Sequence, residues 1–232
     1  NTINQNENIV FVGDSIFDWY PTEKIFSDFP IVNSGIVGNK TTDILNNMEE
    51  RIYKYNPTKV FIQIGTNDIE WEDSEELNEE VFQNIVKIAE GIKENRSKSE
   101  IYIISIYPVN NNLPGANDRH ISEIKAINEK LKKYCATTDG VEYIDAFHQL
   151  IDENEMLDIA YTNDGLHPNG LGYAKITEIL MNEETLEKEE RNDFVEAQVI
   201  EDSLDQELKE LIEQVQFWLV KYIISLGYTN KP

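Results

Sequence analysis

Cysteine, histidine and positive charge are what this 232-residue sequence has least of, and each shortage closes off a class of function. One cysteine, Cys135, permits no internal disulfide and no cysteine pair of the metal-site kind. It falls in a helix-like stretch and reads as a small core residue. No apolar run reaches the ~20 residues that a membrane-spanning helix requires, so stable membrane insertion is not expected. No signal-peptide pattern is present either, and the expected location is the cytoplasm. The chain begins Asn1-Thr2-Ile3 rather than with methionine, so removal of an upstream signal is the alternative. Twenty Lys and Arg stand against 44 Asp and Glu, a net charge of −24. Such a surface repels phosphate backbones and anionic lipid, which argues against nucleic acid as a partner. It favours neutral or cationic small molecules, though mildly, because salt screens exposed charge within ~10 Å.

What the chain does have is a hydrophobic fraction of 40%, too high for a disordered polymer and sufficient for one sizeable core. Five short, β-branched apolar runs recur, at residues 9–13, 31–35, 60–65, 101–107 and 141–145. Continuous apolar runs suit strands buried on both faces, as a parallel sheet demands. Helix-like segments alternate with them. Residues 41–53 open on Thr-Thr-Asp and carry Ile44, Leu45, Met48 and Ile52 at helical spacing; residues 77–95 and 121–136 are equally periodic. This alternation predicts right-handed βαβ units in a three-layer α/β/α sandwich. Ligands then bind at the carboxyl ends of the strands, with the loop 107–119 as a pocket wall.

The last fifty residues differ. Residues 182–193 are strongly charged, after which Leu204, Leu208, Leu211, Val215, Trp218 and Tyr222 step by three and four, an amphipathic helix with a broad apolar face. The predicted organisation is a domain at 1–182 and a C-terminal helical extension at 183–232. That helix would pack on the domain's own surface, form a homodimer contact or dock a partner; its acidic polar side disfavours a membrane surface. No internal repeats are present.

Four polar segments follow the predicted strands or close the domain. Gly13-Asp14-Ser15 places a serine at a strand-to-helix turn, where its backbone N–H meets the positive end of a helix. Asn33-Ser34-Gly35-Ile36-Val37-Gly38 lets a backbone N–H approach a ligand unobstructed. Gly65-Thr66-Asn67-Asp68 sets the Asn67 carboxamide over the sheet edge, a donor for developing negative charge that needs no change of protonation. Asp164-Gly165-Leu166-His167-Pro168 supplies an imidazole base and, three residues earlier, a carboxylate to fix its tautomer. Taken singly, each also suits a cap, a turn or an Asx motif. His120 reads as a loop or surface residue and His148 as structural, neither having a carboxylate partner at this spacing. The acidic stretch 70–76 reads as a solvated loop rather than a metal site.

Together, in this order, the four segments resemble the motif blocks of the SGNH hydrolases, also called the GDSL esterase/lipase family, over about residues 9–180. The third and fourth are similar to the branch of platelet-activating-factor acetylhydrolase-like proteins and small bacterial acylhydrolases. The resemblance implies a flavodoxin-like sheet of five parallel strands. It implies Ser15 as nucleophile, His167 as base and Asp164 as its orienter, with the Ser15 and Gly38 N–H groups and the Asn67 side chain as oxyanion hole. Phe17-Asp18-Trp19-Tyr20 and Asn39-Lys40-Thr41 depart from the family's usual residues. Candidate substrate contacts are Asp14, Trp19, Asn39, Trp71, Tyr107 and Leu166. The expected activity is hydrolysis of a small-molecule ester, with short acyl or acetyl groups on a lipid or carbohydrate, without cofactor or metal. Two alternatives are acyl transfer to a sugar hydroxyl and a non-catalytic interaction module that uses the C-terminal helix.

Overall fold

The computed structural model describes residues 8–27, 29–70 and 74–181. The chain divides after Pro168 into two units. The described residues of the first contain five strands, β1 (Asn8–Gly13), β2 (Ile31–Gly35), β3 (Pro57–Gln63), β4 (Glu100–Ile104) and β5 (Val141–Ile144). All pair in parallel, in the order β2-β1-β3-β4-β5. Among its described residues seven α-helices accompany them: α1 (Ser15–Asp18), α2 (Thr22–Ile25), α3 (Thr41–Leu45), α4 (Met48–Arg51), α5 (Glu75–Asn95), α6 (Ile121–Ala136) and α7 (Phe147–Leu150). Of the second unit, the described residues form α8 (Gly170–Leu180), capped by the Asn169 side chain accepting from Gly172 N. The expected boundary at residue 182, the C-terminal amphipathic helix and Trp71 lie outside the described residues.

Period-two alternation divides the core in two. Val10, Val12, Val60, Ile62, Ile101 and Ile103 share one cluster with Val81, Ile85 and Ile88 of α5 and Ile124, Ile127 and Leu131 of α6. Phe11, Phe61 and Tyr102 alternate with them. Phe11 stacks against Phe17 and Tyr20 and meets Phe26 edge-on, while Phe61 lies parallel to Tyr102 with centroids 4.6 Å apart. Helices therefore cover both faces, giving the expected three layers. Each fully buried phenylalanine contributes roughly 2–3 kcal/mol of transfer energy.

Two expectations change. Residues 41–53 do not form one helix: α3 ends at Leu45, Asn46 and Asn47 intervene, and a 3₁₀ turn (Tyr53–Tyr55) follows α4. The Asn47 side chain donates to the Asp43 carbonyl, a local bond that competes with helix continuation. The fourth strand stops at Ile104 rather than Tyr107. There the Asn128 carboxamide both donates to Ile106 O and accepts from Ile106 N, doing the work of a neighbouring strand.

The register sets up the site. Gly13 lies opposite Gly35 on one side and Gln63 on the other, so three strands finish level. The chain leaves β1 for the edge strand β2 and returns to β3 on the opposite side, so the order reverses between β1 and β3. A crevice opens at such a reversal, outside the carboxyl ends. Ser15 follows β1 and Asn67 follows β3.

Candidate active site

Asp14 follows the first strand, fully buried, and its Oδ1 accepts from Ile16 N at 2.9 Å, capping α1. Burial lifts its carboxyl to about 7, opposed by the Ile16 bond and by the positive charge available at His167 and Arg119. Ser15, the first residue of α1, is 5% exposed. Its Oγ lies 3.1 Å from His167 Nε2.

His167 sits on a loop folded back on itself. Thr162 bridges to Pro168, and the Thr162 hydroxyl donates to His167 O and accepts from Gly165 N, each at 2.9 Å. Gly165 takes φ +91°, and a Cβ there would stand 2.5 Å from the Asn110 carbonyl, so only glycine fits. Asp164 Oδ1 accepts from the backbone N–H groups of Leu166 and His167, both at 2.8 Å, while Oδ2 faces His167 Nδ1 at 2.7 Å. Burial pushes the Asp164 carboxyl up, but the bonds from the His167 ring and the two N–H groups outweigh it, leaving it well below the usual carboxylate range. An ionised carboxylate only accepts, so the ring proton belongs on Nδ1 and the lone pair of Nε2 points at the Ser15 hydroxyl.

The remaining pieces are tied to the same edge. Ile36 N donates to Gly13 O at 3.2 Å, holding the 36–39 turn beside β1. Within it Gly38 adopts φ +75°, a left-handed conformation that side-chain-bearing residues rarely take. Asn67 Nδ2 donates to Asn39 O at 3.0 Å, next to Gly38. Asp68 accepts from Thr41 N and, at 2.6 Å, from Thr41 Oγ1, fastening the start of α3 to the turn after β3. The structure thus brings Ser15, His167 and Asp164 together and links the Gly38 turn to Asn67.

The candidate substrate contacts fare differently. Trp19 is 50% exposed, with its ring centroid 4.3 Å from that of His167, so it stands at the mouth of the site. Leu166 is nearly buried between Asp164 and His167. Asp14 and Tyr107 are buried and offer no surface. The Asn39 side chain accepts from Arg51 and its carbonyl from Asn67. His148 does have a carboxylate partner: its Nδ1 lies 2.9 Å from both oxygens of Asp145, at the same three-residue spacing as Asp164 and His167. His120 is exposed at the start of α6.

Sequence reasoning missed two buried arginines. Arg51, 6% exposed, donates from Nε to Ser34 Oγ at 3.0 Å, from Nη2 to Gly13 O at 3.1 Å and to Ser34 O, and from Nη1 to Asn39 Oδ1. Arg119, 1% exposed, reaches the turn after β3. Neither sits in an apolar periodicity or a motif, so no local signal marks it. Among the described residues no cluster of His, Cys, Asp and Glu suits a metal ion.

A family profile described as GDSL-like Lipase/Acylhydrolase matches residues 11–175. An N-acylneuraminate cytidylyltransferase of Escherichia coli O18:K1:H7 is 32% identical over 182 residues, covering 75% of this chain and 41% of that protein. A multidomain esterase of Ruminococcus flavefaciens is 32% identical over 141 residues, covering 57% of this chain and 16% of the esterase. The chain thus spans less than half the length of either curated relative. Among solved structures, a protein from Streptococcus pneumonia named for platelet activating factor superposes with a TM-score of 0.70 at 31% identity. That match covers 76% of this chain and 83% of that one.

Proposed function

The chain belongs to the GDSL-like lipase/acylhydrolase family, a family of carboxylic ester hydrolases, and we propose that it removes short acyl groups, above all acetyl, from a carbohydrate ester through an acyl-enzyme on Ser15. The observation that carries this reading is the continuous chain of contacts from Ser15 Oγ through His167 to Asp164, at 3.1 and 2.7 Å. Ser15 Oγ attacks the ester carbonyl carbon as His167 Nε2 takes the hydroxyl proton. The carbonyl oxygen becomes an oxyanion, held by the N–H groups of Ser15 and Gly38 and by the Asn67 amide. The tetrahedral adduct collapses, the bond to the leaving oxygen breaks, and His167 returns its proton to the departing alcohol. Water then attacks the acyl-Ser15 ester with His167 again as base, releasing the acid and restoring the serine.

What lines the mouth supports a carbohydrate as the alcohol part of the ester. Trp19 offers a half-exposed aromatic face beside His167, a surface on which a sugar ring stacks. A relative whose name places it on N-acylneuraminate supports a sugar as the substrate class. A panel of acetyl, butyryl and octanoyl aryl esters, followed by acetate release from acetylated sugars, tests the reading. The expected order is acetyl above butyryl above octanoyl, with acetate released from the sugars. Preference for octanoyl, or no acetate from any sugar, would refute the substrate class. Formation of a new sugar ester in place of free acid, when an alcohol acceptor is added, would make the chain a transferase instead.

A further inference from the structure

Burying a guanidinium is costly unless every face of it is served, and Arg119 is served in a pattern that points at the reaction. Nε donates to Thr66 O at 2.8 Å and Nη1 to Ala116 O at 3.2 Å. Nη2 donates to Asn67 Oδ1 at 3.0 Å and pairs with Glu70 Oε2 at 3.2 Å. Two of these four contacts go to the turn that carries Asn67, although Arg119 lies more than fifty positions further along the chain.

Arginine donates and never accepts. A carboxamide beside Nη2 must therefore present its oxygen there, since the reversed amide would set two donors face to face. With Oδ1 committed to Arg119, Nδ2 turns the other way. One of its hydrogens goes to Asn39 O at 3.0 Å, beside Gly38. The second remains for a ligand oxygen. We infer that Arg119 is a positioning residue for ester hydrolysis, fixing which end of the Asn67 carboxamide faces the oxyanion and holding the turn that carries it. This rests on the reading of Asn67 as an oxyanion donor.

A lysine in the same place donates too, but as a single flexible point it cannot span Thr66 O and Asn67 Oδ1 together. The test is a double-mutant cycle of wild type, Arg119→Lys, Asn67→Ala and the double variant, with kcat and KM for p-nitrophenyl acetate. Asn67→Ala is expected to lower kcat by ~10²–10³-fold. Arg119→Lys is expected to lower kcat by up to about 10²-fold with KM little changed, because a displaced donor is felt in the transition state. In the Asn67→Ala background, Arg119→Lys should lower kcat no further. Equal losses in both backgrounds, or no loss in wild type, would overturn the role of Arg119 while leaving Asn67 in place. An undiminished Asn67→Ala enzyme would instead remove the donor on which the inference stands. Should Arg119→Lys not fold, a crystal structure of the wild-type paraoxon adduct decides. With the structure solved by neutron diffraction, so that the amide deuterons are seen, Nδ2 of Asn67 on the phosphoryl oxygen with Oδ1 on Arg119 is expected, and an amide turned the other way refutes it.

Discussion

Replacing Asp164 by asparagine changes one heavy atom and, by the geometry of its turn, inverts the tautomer of the histidine. Oδ1 of Asp164 already accepts two backbone N–H groups at 2.8 Å, from Leu166 and His167, and lies 3.3 Å from the Thr162 hydroxyl. Only an acceptor fits there, so an asparagine must keep its oxygen in that position. Its Nδ2 then occupies the place of Oδ2, 2.7 Å from His167 Nδ1, and donates. Nδ1 becomes the acceptor, and the ring proton moves to Nε2, the nitrogen 3.1 Å from Ser15 Oγ. A protonated Nε2 cannot take the serine's proton. The expected loss in kcat is ~10⁴-fold, equivalent to about 5 kcal/mol of barrier. Stability should scarcely change, because the pair is partly exposed, at 21% and 40%, and such pairs contribute at most ~1 kcal/mol. Steady-state hydrolysis of p-nitrophenyl acetate near pH 8, alongside urea unfolding, separates the two effects. A variant within tenfold of wild type in kcat would show that Asp164 does not set the tautomer, and the reasoning would fail.

Three further outcomes are expected. Asp14 keeps its proton up to about pH 7 when folded, against 3.8 ordinarily, so the folded chain binds more protons between those values and stability falls as pH rises through them. Asp14→Asn removes that slope, so between pH 5 and pH 8 its unfolding free energy in urea should gain on that of wild type by on the order of 3 kcal/mol; parallel curves would contradict the account. Trp19→Ala should raise KM for an acetylated sugar by up to about tenfold while changing that for ethyl acetate less; equal changes would count against a sugar platform. Phe61→Ala opens a cavity between Phe11 and Tyr102 and should cost ~3–5 kcal/mol in urea unfolding, whereas a loss under 1 kcal/mol would place Phe61 outside the core.

The strands were legible because a parallel sheet buries both faces and leaves uninterrupted apolar runs such as Ile101 to Ile104. Three of the polar segments were legible because each lies at a strand end, so chain position and place on the sheet edge coincide; the fourth was legible from the three-residue spacing of Asp164 and His167. What the sequence concealed is long-range or conditional. The break in residues 41–53 depends on Asn47 finding the Asp43 carbonyl, against an apolar spacing that reads as one helix. The end of the fourth strand depends on Asn128, a residue of α6. Arg51 reaches back 38 positions to Gly13, and Arg119 reaches 53 to Thr66, distances at which no local pattern operates. His148 was misjudged for a simpler reason: Asp145 stands three residues before it, at the spacing used for Asp164 and His167.

The central claim is that Ser15 is the nucleophile, and covalent capture tests it most directly. Treated with a fluorophosphonate, the protein should gain one adduct mass, mapped by peptide mass spectrometry to Ser15. Ester hydrolysis should disappear in step with labelling, and Ser15→Ala should neither label nor turn over. An adduct on another residue, or a Ser15→Ala protein that still hydrolyses acetyl esters at the wild-type rate, would contradict it.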